Sequence, residues 1–333
     1  MNWLHGDNGA GKTSVLEAIH VLARGRSFRS SQIGAVIGHE AERLMVVAHL
    51  PSSETTPAVV LGVERDQAGW RGRLAGQDCH KVSEFARRLP IVILEPDSHR
   101  LISDGPSGRR QFLDWLMFHV EPGYLPVWQR YQKLLRQRNA ALRTGASKAV
   151  VDALAAPMVE AGRSLNELRQ GGVAQLEQTV QQLQVELGLR LPGPIDLGYR
   201  PGHAADQSLE EVLAGQAERD MEAGFTRAGP HRADLVLKVD GYPAAQESSR
   251  GQQKLLATLL LLSKWQFLSA ITEHPPVLLL DDPVSELDQS HLRAVIEWLQ
   301  TQEKQVWVTA TEPPPINAKM FHVEQGEIRS VVY

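Results

Sequence analysis

The stretch HGDNGAGKTS, residues 5–14, constrains the fold of this chain more than any other segment. Gly6, Gly11, Lys12 and Thr13 occupy the fixed positions of the GxxxxGK(S/T) phosphate-binding loop. In such a loop backbone N–H groups surround phosphate oxygens, the lysine adds a positive charge and the threonine hydroxyl binds Mg2+. We therefore predict a nucleotide site with Lys12 as a catalytic residue and with these loop residues: Gly6, Asn8, Gly9, Gly11, Lys12, Thr13 and Ser14.

The sequence after the loop agrees with this prediction, but the sequence before it does not. After it, SVLEAIHVLARG carries apolar residues at helical spacing and ends at Gly25, which predicts a helix whose N-terminus faces the phosphates. Before it, only Met1 to Leu4 are left to form the buried strand that normally precedes such a loop. Either the match is accidental or chain segments in front of the motif are missing.

Length and composition limit the class of protein. The 333 residues suffice for two cores, and no apolar run reaches the roughly 18 residues of a membrane span. We expect a cytoplasmic protein without a membrane partner, since no secretory signal opens the chain. The single Cys79 cannot form an intrachain disulfide. With a net charge of −4, any nucleic-acid binding has to come from a local basic patch.

The character of the sequence changes twice along the chain. Strand-like segments such as RLMVVAHL and AVVLGVER dominate up to about Leu94, helical patterns follow from Pro106 to about Leu191, and strand signals return with ADLVLKVDG. Pro157 and the pair Gly171–Gly172 predict interruptions of the last helical stretch, which would then be several helices or one kinked pair. We predict an α/β fold in which a mainly helical lobe, residues 105–218, is inserted between the two halves of an ATPase lobe, residues 1–104 and 219–333.

A second chemical motif is the apolar strand VLLLDD, residues 277–282. We predict that Asp281 reaches the Mg2+ beside the phosphate loop and that Asp282 orients or deprotonates the attacking water, as in a Walker B strand. Upstream, SSRGQQK opens a long apolar helix, where Ser249 and Gly251 can present a hydroxyl and backbone N–H groups to phosphate. Two such loops suggest that two subunits enclose ATP between them; an ordinary helix cap is the alternative.

Five segments together resemble the RecF family of ABC/SMC-class ATPases. They are GRSFR (25–29), EPDSHRLISDGPSGRRQFLD (95–114), GPHRADL (229–235), SSRGQQK (248–254) and LLLDDPVSELD (278–288). The resemblance implies an ABC-type P-loop ATPase head, ATP-dependent homodimerisation and binding of duplex DNA and of single-strand/double-strand junctions. It also implies cooperation with RecR and RecO to load RecA at gaps, and weak, DNA-stimulated ATP hydrolysis with ATP and Mg2+ as cofactors.

The resemblance also assigns roles to residues. Thr13 and Asp281 match the metal-associated positions, Asp282 the hydrolytic acid, and Ser285 and Asp288 the D-loop that couples two nucleotide sites. The signature loop that reaches a second subunit's nucleotide matches Ser249, Arg250, Gly251 and Gln252. The family carries about two dozen further residues before the phosphate loop, so we expect a truncated start that leaves an unpaired sheet edge.

Basic residues of the helical region are candidates for DNA contact, with a solvated basic face as the alternative. One of them, Arg110, can equally pair with Asp114 at helical spacing. A predicted helix offers a buried stripe with Trp128, Tyr131 and Leu135, which would leave its basic residues outside. The candidates are Arg109, Arg110, Arg130, Lys133, Arg136 and Arg138.

Other roles and functions stay open at this level. His231 and Arg232 either clamp a loop or lie near the nucleotide, and Thr309 and Thr311 are possible γ-phosphate contacts. A transporter-type ABC ATPase subunit shares the phosphate loops but has no need of the GPHR segment. An SMC-like protein needs a long heptad coiled coil, for which residues 105–218 are too few. A truncated chain can also be a non-hydrolysing nucleotide-binding module.

Overall fold

The chain divides into two compact units. A computed structural model describes residues 1–30, 32, 34, 36–38, 41–52, 57–314 and 316–331. The first unit comprises Met1–Ser98 and Lys264–Tyr333, and the second comprises His99–Ser263. The predicted limits at 104/105 and 218/219 differ from these boundaries. Residue 218 lies inside the second unit because strands on both sides of it, residues 195–200 and 234–239, pair with each other.

The helices and strands follow one another in an α/β order. The first unit begins with β1 Asn2–His5, α1 Lys12–Arg24, β2 Leu44–Leu50, β3 Val59–Asp66, β4 Gly69–Leu74, β5 Gln77–Cys79, α2 Val82–Arg88 and β6 Ile91–Leu94. The second unit contains α3 Arg100–Ser103, α4 Pro106–Val120, α5 Tyr124–Arg143, α6 Lys148–Glu186, β7 Ile195–Arg200, α7 Leu209–Gly215, α8 Ala217–Ala223, β8 Asp234–Val239, β9 Tyr242–Pro243 and α9 Ala244–Glu247. Helix α10 Arg250–Ile271 spans the boundary, and the first unit resumes with β10 Val277–Asp281, α11 Gln289–Gln300, β11 Val306–Ala310, β12 Lys319–Glu324 and β13 Glu327–Val331.

A six-stranded sheet of the first unit carries the nucleotide motifs. Its order is β13-β12-β1-β11-β10-β6, and all neighbours are parallel except β12 and β13. The four residues of β1 form a strand because β11 and β12 pair with it on both sides, with Trp3 and Leu4 buried. The phosphate-binding motif therefore follows an interior strand.

Helix α1 packs between this sheet and a second one. The second sheet is the antiparallel meander β2-β3-β4-β5, in the region where the sequence predicts such a meander. Buried residues from α1 (Leu16 and Leu22), from β3 (Leu61 and Val63) and from β10 (Leu279) belong to one core. Burial of this apolar surface holds the helix that follows the phosphate-binding loop in place.

Helix α6 of the second unit is longer than the sequence predicts. It runs through Pro157 and through Gly171 and Gly172 without a break, so the predicted interruptions are absent. A Cβ on Gly172 would lie 2.2 Å from the sulfur of Met117 in α4. This glycine therefore serves the close approach of two helices, and packing against neighbours outweighs its low helix propensity.

Buried arginines tie the second unit together. Arg138 in α5 pairs with Asp220 at 2.8 Å, and both side chains are almost completely buried. Arg169 in α6 pairs with Asp114 in α4 at 2.6 Å. Removing one member of such a pair leaves an uncompensated buried charge, which typically costs about 3–5 kcal/mol.

Within the described part of the chain, α10 alone is long and apolar enough to cross a membrane. However, 72% of its most apolar stretch is buried inside the protein. That burial is typical of a core helix.

His231 clamps the loop that precedes β8. The Tyr131 hydroxyl donates to His231 Nδ1 at 2.8 Å, and His231 Nε2–H donates to the Thr226 carbonyl oxygen at 3.0 Å. Burial lowers the pKa of His231 to about 4. Both contacts lie within the second unit, which supports the loop-clamp interpretation of the GPHR segment.

This shift predicts a loss of stability in acid. The unfolded chain binds a proton at His231 near pH 6.5 and the folded chain only near pH 4, so stability present above pH 6.5 is lost as the pH falls. We expect about 2 kcal/mol of the unfolding free energy to disappear through this residue between about pH 7 and pH 4.5. Urea denaturation of His231→Gln should show a weaker pH dependence than that of the exposed control His80→Gln. Equal pH dependence in the two variants would contradict the assignment.

Candidate functional site

The phosphate-binding loop, residues 6–11, joins β1 to α1 and lies against the β12–β13 hairpin. Gly6 has φ +150°, and a Cβ there would lie 2.2 Å from the carbonyl oxygen of Val323 in β12. Gly326, in the turn of the hairpin, donates its N–H to the carbonyl oxygen of Ala10 at 2.9 Å. Only glycine fits at position 6, and the hairpin supports the loop.

Lys12 is folded over its own loop. Its Nζ donates to the carbonyl oxygens of Gly6 at 2.7 Å and Asp7 at 2.8 Å. Phosphate oxygens can replace these two carbonyls as acceptors, so the ammonium is already at the mouth of the loop. Burial, followed by the nearby charges of His322 and Lys12, lowers the pKa of the neighbouring His5.

The carboxylate of Asp281 connects three elements of the site. It ends β10 and is buried. Its Oδ1 accepts hydrogen bonds from the Thr13 hydroxyl at the start of α1 and from the Thr309 hydroxyl in β11, both at 2.8 Å. The parallel pairing of β10 with β11 places Asp281 beside Thr309. These contacts hold the carboxylate against the first turn of α1.

Asp282 has a different environment from Asp281. Its side chain is exposed, and its backbone is in the left-handed region with φ +48°. Its N–H donates to the Thr309 hydroxyl at 2.9 Å. A non-glycine residue in this conformation stores strain of about 1 kcal/mol or more, which is common where a side chain has to be aimed at a ligand.

A cavity of about 480 Å3 lies over the loop. It is lined by all the predicted nucleotide and metal residues except Gly6, which forms part of the turn beneath. Thr311, a predicted γ-phosphate contact, also lines it. Thr309 lines it too, but its hydroxyl is already bonded to Asp281 and to the N–H of Asp282. The lining residues are Asn8, Gly9, Gly11, Lys12, Thr13, Ser14, Arg29, Pro96, Asp281, Asp282, Thr309, Ala310 and Thr311.

The oxygen ligands of the cavity fit Mg2+. The Thr13 hydroxyl and the Asp281 carboxylate are adjacent, and Mg2+ is usually held by one or two carboxylates together with phosphate oxygens. Among the described residues, no group of three or more His, Cys, Asp and Glu side chains could hold a metal ion alone. The donor set fits a Mg2+ ion that is held together with nucleotide phosphates.

Arg29 is a cavity residue that the sequence motifs do not assign. It belongs to the segment after α1, which is fixed by the buried side chain of Glu17. Ser27 Oγ donates to Glu17 at 2.5 Å and accepts from the N–H groups of Arg29 and Ser30 at 3.0 Å. In the sequence, the only indication of a role for Arg29 is its place in the GRSFR segment.

The predicted signature loop lies in the second unit, at the start of α10. Ser249 Oγ accepts from the Gln252 N–H at 3.3 Å, and the Gln252 side chain accepts from the Ser249 N–H at 2.8 Å. This is the helix cap that the sequence allows as an alternative. The residues Ser249, Arg250 and Gly251 are exposed, so the loop itself can still meet a ligand.

The predicted D-loop lies in the first unit, between β10 and α11. Ser285 Oγ donates to the Asp282 carbonyl oxygen at 2.9 Å. Asp288 caps α11 by accepting from the N–H groups of Ser290 and His291. Hydrogen bonds from Ser290 and His291 hold the pKa of Asp288 well below its usual range.

Several basic candidates are structural, not DNA-facing. The Arg109 guanidinium is buried and donates to Asp234 and to three backbone carbonyls, so this predicted DNA contact is contradicted. Arg138 is excluded by its buried pair. Arg110 is half-buried and donates to the Ala233 carbonyl oxygen at 2.8 Å, while Asp114 pairs with Arg169.

Three of the predicted DNA-contact candidates on α5 are exposed. Arg130 is paired with Glu160 of α6 at 2.7 Å. Lys133 and Arg136 are exposed one turn apart on the same helix, so they remain the candidates for phosphate contact.

The sequence matches known proteins over nearly its whole length. Residues 1–325 match the RecF/RecN/SMC N-terminal domain family. The chain is 39% identical to the DNA replication and repair protein RecF of Thioalkalivibrio sulfidiphilus, covering 99% of this chain and 92% of that protein. It is 40% identical to the RecF protein of Pseudomonas fluorescens, covering 98% and 91%. This chain belongs to the RecF family.

Solved structures agree with the RecF-family fold. A recombination mediator RecF–ATP structure from the RecFOR pathway superposes with a TM-score of 0.88 at 24% identity, over 99% of this chain and 91% of that one. An SMC head domain from Pyrococcus furiosus gives a TM-score of 0.55 at 15% identity, over 99% and 89%. The predicted fold class, an ABC-type ATPase head with an inserted helical lobe, is confirmed.

The substitution Thr309→Val tests whether the hydrogen bonds of the Thr309 hydroxyl to Asp281 and Asp282 are needed for activity. Valine has the shape of threonine but removes the donor to Asp281 and the acceptor for the Asp282 N–H, which costs about 1–3 kcal/mol for buried groups. We expect Mg2+-dependent ATP turnover to fall by tenfold or more, roughly the kinetic equivalent of that cost. Thr309→Ser, which keeps the hydroxyl, should retain most of the activity. Normal turnover in Thr309→Val would rule out this role.

Proposed function

We propose that this chain is an ATP-dependent switch of DNA repair. ATP closes a homodimer, the dimer binds duplex DNA and single-strand/double-strand junctions, and slow hydrolysis resets it. The observation that carries the proposal is the Asp281 carboxylate held by Thr13 and Thr309 over the phosphate-binding loop. The structural relative is a recombination mediator of the RecFOR pathway. Together with the family resemblance, this supports a role in the cytoplasm, in which the protein acts with RecR and RecO to load RecA.

The residues of the first unit divide the work of hydrolysis. Lys12 exchanges its two loop carbonyls for phosphate oxygens. Thr13 and Asp281 would hold Mg2+, which offsets negative charge on the phosphates. The exposed carboxylate of Asp282 orients a water and accepts its proton. Because aspartate reaches less far than the more usual glutamate, we expect a low turnover number.

The two exposed capping loops account for the switch. The Ser249 loop is exposed at a helix N-terminus, where phosphate oxygens can replace the two capping side chains as acceptors for the Ser249 and Gln252 N–H groups. In a homodimer each nucleotide would receive this loop from the other subunit, and Ser285 and Asp288 would lie next to the second site. Nucleotide state then determines which dimer conformation is populated.

Sedimentation velocity tests the switch. Mg-ATP should convert the parent from monomer to dimer, whereas Lys12→Met should stay monomeric because the β- and γ-phosphates lose their cation. Lys238→Met makes the same chemical change at an exposed position outside the site and should dimerise like the parent. A folded parent that remains monomeric with Mg-ATP would exclude the sandwiched-nucleotide switch for this chain.

DNA binding is tested on α5. The double variant Lys133→Gln/Arg136→Gln loses two phosphate contacts, so its affinity for duplex DNA should fall whatever the DNA sequence. The slope of log affinity against log salt concentration should become smaller by about two units. Fluorescence anisotropy at several salt concentrations measures both quantities. Arg190→Gln/Lys238→Gln has the same net charge and changes exposed residues elsewhere in the second unit. If both double variants bind alike, α5 does not contact DNA.

A further inference from the structure

A second cavity of the first unit, about 550 Å3 in volume, lies at the C-terminal end of α1. The end of α1, the segment after it, β3 and the residue following β6 form its wall. The charged side chains that line it are Arg24, Arg26, Arg29, Arg65 and Glu95. We call the four arginines the arginine cluster. The proposed hydrolysis uses none of them.

The arginine cluster sits on a rigid frame. His20 in α1 is buried, and its Nδ1–H donates to the Arg26 carbonyl oxygen at 2.7 Å. The buried Glu17 holds Ser27, which in turn holds the N–H of Arg29. These bonds fix the backbone from which two of the arginines project, so the cavity is preformed.

Positive charge is concentrated around this cavity. Burial and the charge of Arg26 lower the pKa of Arg24 to about 9. Arg65 Nε is shielded from solvent and has no hydrogen-bond partner among the described residues. An anion in the cavity would reduce the repulsion among the arginines and supply an acceptor for Arg65 Nε.

The chemistry of the wall selects the class of anion. Guanidinium groups bind phosphate oxygens through paired hydrogen bonds, which makes arginine the usual residue for nucleic-acid backbones. The cavity is larger than one phosphate needs, so the flanking sugars also fit. Arg29 lines both this cavity and the one over the phosphate-binding loop.

We propose that the arginine cluster binds a phosphodiester group of a DNA strand, as a contact separate from Lys133 and Arg136. The identity of the ligand rests on the proposed function, whereas the site rests on the cavity and its four guanidinium groups. Binding through phosphate carries no sequence preference. The contact would place DNA beside the nucleotide cavity in the first unit.

The test removes two arginines that do not line the nucleotide cavity. Arg26→Gln/Arg65→Gln is compared with Arg73→Gln/Arg329→Gln, which has the same net charge and changes two exposed arginines of the same unit. Anisotropy with a fluorescent duplex gives affinity and salt slope. We expect the cluster variant to bind roughly tenfold more weakly with a slope lower by about one unit, and the control to match the parent. Unchanged binding of a fluorescent ATP analogue shows that the cluster variant is folded.

Other results would overturn the proposal in distinguishable ways. Equal duplex binding by the parent and the cluster variant would refute the contact at the arginine cluster but not the proposed function. If the parent itself binds no duplex, both the contact and the proposed function are refuted. Two further experiments replace the duplex by other anions. Binding of pyrophosphate is measured by thermal shift, and binding of a polyglutamate peptide is measured in the same two variants. Cluster-dependent binding of either one, with duplex binding unchanged, would identify a small phosphate ligand or an acidic protein segment in place of DNA.

Discussion

The buried carboxylate of Asp281 is the interaction on which the site depends. It ends a central strand, and two threonine hydroxyls from α1 and β11 donate to the same oxygen. A buried carboxylate without donors is costly, so the three elements are stable only in the arrangement that brings them together. That arrangement also places Lys12, one residue before Thr13, beside the acids. The strand pairing, the buried carboxylate and the phosphate-binding loop are thus parts of one constraint.

Support for the loop comes from the far end of the chain. The β12–β13 hairpin contacts the loop through Val323 and Gly326, while β11 and β12 complete the pairing of β1. Residues more than 300 positions apart in the chain are therefore in direct contact in this sheet. Arg29 lies where the nucleotide cavity meets the arginine-lined cavity. A ligand in either cavity would change the electrostatic environment of the other.

The second unit shows why a basic residue in a sequence is a weak predictor of a DNA contact. Arg109, Arg138 and Arg169 are buried, and each is paired with an aspartate that is 55 or more positions away in the chain. Helical spacing predicts Arg138 on the basic face of α5, and Arg109 is a candidate only because it is a basic residue of the helical region. Long-range pairing with Asp220 and Asp234 instead makes both structural. The paired arginines link helices and strands that local propensity leaves unconnected.

The local motifs predicted much of the nucleotide site and of the fold. The GDNGAGKTS loop, the VLLLDD strand and the two helix-capping segments each have a backbone conformation that a few neighbouring residues specify, so the sequence by itself determined them. Only the tertiary structure decided the rest. The short β1 is stable because strands from the other end of the chain pair with it, and α6 continues through Pro157 and two glycines because its neighbours pack there. The Thr309 hydroxyl forms hydrogen bonds with both Asp281 and Asp282, and Arg29 lines two cavities. Contacts of this kind join residues that are distant in the chain, whereas a local sequence pattern specifies only the conformation of neighbouring residues.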